Sequence, residues 1–191
     1  MKRLAGLVLI ITAASSASAQ KPIGEVRLLG TAAWAPGAEV PPEAGEYPFP
    51  EGRAMVGAAA GLSFVSGRIS AGPEALFLRG SDRKMFAVGG VARLQVARGI
   101  VRPYLLVGAG VYTWNHKAAL PPEFTAPGPP GVQFWLGDVT QWAGNAGGGL
   151  VAGSRGFSLT AEIRAHKSLN RNDWSGDRDA LAISVGGRVS W

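Results

Sequence analysis

His166 and Ser168 stand two residues apart in the stretch TAEIRAHKSLN, residues 160–170, with Glu162 and Arg164 just upstream and Asp177 and Asp179 downstream. On an extended strand, residues i and i+2 share a face about 6.6 Å apart along the backbone, a gap that longer side chains can close. A histidine so placed could act as base for the serine hydroxyl, oriented by a carboxylate such as Asp179. The same spacing also suits Glu162, Arg164, His166 and Ser168 as one polar stripe of a structural wall. The choice turns on which way the strand presents them.

The chain begins MKRLAGLVLIITAASSASAQ, with cations at Lys2 and Arg3, an apolar run and small residues ending at Ala19. This is the pattern of a secretory signal peptide over residues 1–19, leaving one domain over 20–191. Removal of Lys2 and Arg3 lowers the formal charge from +6 to +4. The remaining cations are scattered, with no basic stripe for nucleic acid. The chain has no cysteine, which excludes thiol catalysis, cysteine-held metals and disulfide staples. No cofactor or metal motif stands out: the glycines of GAGVYTW continue a strand instead of opening a helix, and Asp173, Asp177 and Asp179 match no calcium-loop spacing. Gly61-Leu62-Ser63 lacks the second glycine of a nucleophile elbow.

Eight strand signals recur between turn residues, at 25–34, 53–65, 68–79, 85–97, 101–116, 142–153, 157–170 and 180–191. Their connections alternate in length. Ser66-Gly67, Arg98-Gly99-Ile100 and Ser154-Arg155-Gly156 are tight, whereas 35–52, 117–141 and 171–179 are long, with 80–84 a short exception. An even number of antiparallel strands, short turns at one end and long loops at the other describe an all-β, eight-stranded, up-and-down transmembrane barrel. Gly- and Pro-rich LPPEFTAPGPPG reads as a surface loop.

Each strand keeps one uncharged face. Leu181, Ile183, Val185, Val189 and Trp191 alternate with Ala182, Ser184, Gly186, Arg188 and Ser190, and Phe157, Leu159, Ala161 and Ile163 alternate with Ser158, Thr160, Glu162 and Arg164. The opposite faces are built of small residues with isolated charges, as in Gly57, Ala59, Gly61, Ser63 or Arg102, Tyr104, Gly108, Gly110, Tyr112. Such faces suit a narrow, filled lumen where each ion needs a partner. They place Arg27, Glu74, Arg93, Arg102, Glu162, Arg164, His166 and Arg188 in a lumen polar network, with Lys167 outside and near the interface. By this parity His166 and Ser168 face inward; only a bulge between Ile163 and His166 would turn them to lipid. Trp34, Tyr47, Phe49, Tyr112, Trp114, Phe134, Trp135, Trp142 and Trp174 gather near the long-loop ends as a girdle and loop packing.

VRPYLLVGAGVYTW, AEIRAHKS and ALAISVGGRVSW resemble the final strands of the small outer-membrane β-barrel family that includes the OmpA-like membrane domain, over essentially the whole mature chain. The resemblance implies a monomer in the cell outer membrane, contacting lipids and lipopolysaccharide, and engaging the barrel assembly machinery through the strand ending at Trp191. It implies a structural or surface-interaction role without catalysis, exercised through the long loops. A second resemblance, to lipid A deacylases, implies a hydrolase using His166, Ser168 and Asp179, although Leu169 stands where that family has Asn. A third reading is a soluble periplasmic barrel binding an apolar ligand.

Overall fold

In the computed structural model, the described residues are 23–35, 53–81, 83–119, 133–154, 156–169 and 179–191. The expected signal peptide lies outside them. Eight strands follow in order: β1 (Ile23–Ala35), β2 (Arg53–Ser66), β3 (Ile69–Arg79), β4 (Arg83–Gln95), β5 (Val101–Ala119), β6 (Gln133–Gly153), β7 (Phe157–Ser168) and β8 (Ala180–Ser190). Each pairs antiparallel with its sequence neighbour, and β8 returns to β1 to close the barrel. Closure leaves no strand edge, which is what lets a sheet stand in a medium that offers no hydrogen bonds.

The closing seam is finished by the last residue. Backbone N–H and C=O of Gly24 and Trp191 exchange two bonds of 3.0 Å, and the indole lies over Gly24, where any Cβ would stand 2.5 Å from it. At the short-turn end, β2 and β3 meet through Gly67, whose φ of 61° is a left-handed conformation that glycine adopts without steric cost.

Burial follows the alternation residue by residue. Along β7 every second residue from Ser158 to His166 is buried and those between are exposed. The exposed set is apolar: Leu28, Val56, Phe64, Phe86, Val107, Leu159, Ile183 and Val185 all face outward. A water-soluble protein would place such residues inside; here the exterior carries them as a continuous belt.

The inner space is stratified. The ion-paired acidic and basic side chains occupy the half nearer the short turns, and an apolar layer built around Leu29, Met55, Leu78, Met85 and Trp114 lies nearer the long loops, with Arg83 buried at that end. Leu78, Met85 and Trp114 are register partners on three adjacent strands and are buried to 1% exposure or less.

The long connection expected at 117–141 is shorter than that reading: β5 runs on to Ala119 and β6 begins at Gln133. A register shift between Trp114 and His116 marks where the pairing leaves the barrel wall. Above the belt neither face needs to be apolar, so the hairpin continues without the alternation that reveals it in sequence. The other connections, 36–52 and 170–178, lie outside the described residues. Because Val107 sits on the outer face of β5 at 61% exposure, Val107→Lys is expected to destabilise the barrel by about 2–4 kcal/mol, read by urea unfolding in lipid vesicles. Loss of no stability there would contradict a lipid-facing exterior.

Candidate functional site

Every strand contributes inward residues, and period-two geometry stacks them in rows. Nearest the short turns, Glu25 and Arg27 are two apart on β1 and pair with each other. Arg188 of β8 joins them, its guanidinium 3.0 Å from Glu25 Oε2 and donating from Nε to Ser158 Oγ at 3.0 Å. Arg27 also lies over the Tyr104 ring, 5.7 Å from its centroid, a cation–π distance.

One step deeper, Glu74 of β3 receives Arg93 of β4 at 2.5 Å and both terminal nitrogens of Arg164 of β7, one of them at 3.0 Å. Arg164 pairs in turn with Glu162 of its own strand, and Tyr104 of β5 donates its hydroxyl to Glu162 Oε2 at 2.7 Å. In a ring of eight strands β3 and β7 are opposite walls, so the Glu74–Arg164 pair spans the lumen. The fit depends on absent side chains: a Cβ on Gly149 would stand 2.7 Å from the Tyr104 hydroxyl and 2.4 Å from the Ala161 carbonyl oxygen.

Above this cluster sits His166, 3% exposed. Its Nδ1 is 2.8 Å from the Tyr112 hydroxyl, which also accepts from Asn145 Nδ2 at 3.0 Å. The two rings meet edge-on with centroids 5.7 Å apart. A cavity of about 20 Å³ lies between Glu74, Ala87, Tyr112, Asn145, Arg164 and His166, room for about one water. His166 Nε2 has no hydrogen-bond partner among the described residues.

Of the residues expected in the network, Arg27, Glu74, Arg93, Glu162, Arg164 and Arg188 come together in these ion pairs. His166 is beside them but bonds to a phenol instead of an ion, and Arg102 stands apart at the rim, donating to the Gly153 carbonyl at 3.2 Å. Sequence reading missed Glu25, Tyr104 as a donor, and the Tyr112–Asn145 pair. Glu25 was findable, since it shares parity with Arg27 two residues on. The cross-lumen partners of Tyr104 and Tyr112 carry no local signal.

Among solved structures the chain is similar to Neisserial surface protein A (NspA), with TM-score 0.63 and 11% identity over 88% of this chain and 97% of that one. It is also similar to the N-terminal β-barrel domain of Pseudomonas aeruginosa OprF, with TM-score 0.50 and 13% identity over 88% and 97%. The fold is that of the small outer-membrane β-barrels. No protein-family model and no curated relative matches the sequence.

In this barrel β7 carries His166 on its inner face. β7 pairs without interruption with β6 from Ser158 to Ser168 and with β8 from Phe157 to His166, so no bulge turns His166 outward. Asp179 accepts from the Ser168 backbone N–H at 3.2 Å and lies 3.7 Å from Lys167 on the outer face. Asp177 lies outside the described residues.

The network predicts its own weak points. Glu74→Ala strips two buried guanidinium groups of their shared carboxylate and is expected to cost about 3–5 kcal/mol in unfolding free energy. Tyr104→Phe, which removes a bond to a charged acceptor, should cost about 1.5–3 kcal/mol. Arg102→Ala, at the partly exposed rim, should change stability by under about 1 kcal/mol. Equal effects of all three in urea titrations would show that the pairs are not the stabilising element.

Proposed function

We propose that the protein is an outer-membrane barrel with a structural or surface-interaction role, non-catalytic, which meets its partners at the end carrying the long connections. The observation that carries this reading is the inversion of polarity: an apolar exterior encloses a charged, filled interior. That distribution suits lipid outside and leaves no lumen for an apolar ligand, the expectation of a soluble periplasmic barrel.

The filled lumen also argues against a pore. Leu78, Met85 and Trp114 close the half nearer the long connections, and the cross-lumen ion pairs close the half below. Catalysis on a membrane lipid requires a nucleophile that lipid can reach, yet His166 is enclosed behind the wall of β7. Trp191 completes the β1–β8 seam, consistent with a last strand that the assembly machinery handles at closure.

Recovery in the outer-membrane fraction, with migration on a gel that shifts on heating, tests the placement; a protein confined to the soluble fraction would overturn it. In planar bilayers the purified barrel is expected to give no discrete conductance steps. Lipid A from cells with and without the protein should show the same acyl pattern by mass spectrometry, and a lost acyl chain would restore the hydrolase reading.

A further inference from the structure

The two ends of the barrel differ in charge. Arg68 stands in the β2–β3 turn, Arg98 in the β4–β5 connection and Arg102 at the start of β5, all at the short-turn end. Of the acidic residues in the sequence, Glu25, Glu74 and Glu162 lie in the lumen, and every other one stands, in sequence, at or between strand ends on the long-connection side. Just inside the short-turn rim, Glu25 already serves both Arg27 and Arg188. Among the described residues no carboxylate pairs with Arg68, Arg98 or Arg102.

These cations belong to one continuous arc. The Gln95 N–H donates to the Arg68 carbonyl at 2.8 Å, the Val96 N–H to the Pro103 carbonyl at 2.9 Å and the Gly153 N–H to the Ile100 carbonyl at 3.1 Å. The Arg102 guanidinium donates to the Gly153 carbonyl at 3.2 Å. Backbone bonds thus lace the β2–β3, β4–β5 and β6–β7 connections side by side. Apolar side chains run right up to the arc: Phe64, Val96 and Val101 are exposed, and Ile100, inside the β4–β5 connection itself, is 79% exposed. Arg98 is two residues from both Val96 and Ile100, so charge begins where the apolar belt ends.

We propose that Arg68, Arg98 and Arg102 bind the phosphate of an anionic phospholipid in the periplasmic leaflet, with its acyl chains against Val96, Ile100 and Val101. Short turns mark the periplasmic side of such barrels. Cations at a membrane surface attract anionic lipid at about 1 kcal/mol each, and connections this tight hold them at the level of the headgroups instead of projecting them beyond. A free anion would have no use for the exposed Ile100. The proposal rests on the outer-membrane reading above.

Native mass spectrometry of the chain over 20–191, refolded in zwitterionic micelles with equal amounts of phosphatidylglycerol and phosphatidylcholine, tests it. The wild-type barrel should retain phosphatidylglycerol in preference, and added inorganic phosphate should not displace it. Arg98→Gln should weaken that preference about fivefold, and Arg68→Gln/Arg98→Gln about 30-fold. Arg79→Gln/Lys167→Gln removes the same charge from exposed positions at the other end and should match wild type. Heat-modifiable migration confirms that each variant is folded. An unchanged preference in the short-turn variants overturns the proposal, as does an equal loss in the charge-matched control, which would make retention a matter of net charge. Displacement by inorganic phosphate overturns the lipid assignment. All three results leave the membrane reading standing, whereas failure of the wild-type chain to form a barrel in micelles overturns both.

Discussion

Glu74 meets Arg164 across the whole width of the barrel, and the remainder of the molecule is arranged so that this can happen. Two charges in a space with little water persist only when they are paired and hydrogen-bonded. Pairing requires opposite walls at the right height, hence a closed ring and a fixed register between every pair of strands. Because side chains alternate with period two, a slip of one residue anywhere between β3 and β7 would send Glu74 or Arg164 to the lipid face. The network thus helps specify register as well as filling the lumen. Gly147 and Gly149 are part of the same constraint: a Cβ on Gly147 would stand 2.0 Å from the Ile163 carbonyl oxygen, beside the strand that carries Arg164.

The barrel was legible in the sequence because one physical rule writes itself on every strand. Lipid on one side and a narrow lumen on the other force the apolar positions of Phe157 to Ile163 and of Leu181 to Val185 into strict alternation. Where the rule stops, legibility stops. Past Trp114 the β5–β6 hairpin leaves the belt, its pairing shifts register, and 117–119 and 133–141 look like loop although the backbone remains paired. The candidate site was half legible for a related reason. Parity gives the face of each charge, so Glu162, Arg164 and His166 could be placed inside from sequence. It does not give the height of one strand against another, so the union of Tyr112 with His166 and Asn145 became visible only once three strands were in register.

The same continuity sets the direction of His166. An unbroken β7 ladder keeps His166 beside Tyr112, and Asp179 is occupied by the Ser168 backbone and approached by Lys167. Of the residues that look most like chemistry, His166 is enclosed, while Ser168 and Asp179 stand partly exposed at the end of the wall. His166 is 3% exposed and lies on the inner face of an unbroken strand.

What the barrel offers to its surroundings therefore lies at the ends and on the outside. The lumen is divided between ion pairs and the apolar layer at Leu78, Met85 and Trp114, and these three residues are the inward neighbours of Arg79, Lys84 and Asn115 on the same strands. Alternation couples the two rows: the residues that close the lumen fix the height at which the outer cations emerge. The placement of Arg79 and Lys84 follows from the register that also buries Leu78 and Met85. In a barrel this narrow, the interior acts on the environment by setting where its exterior charges stand.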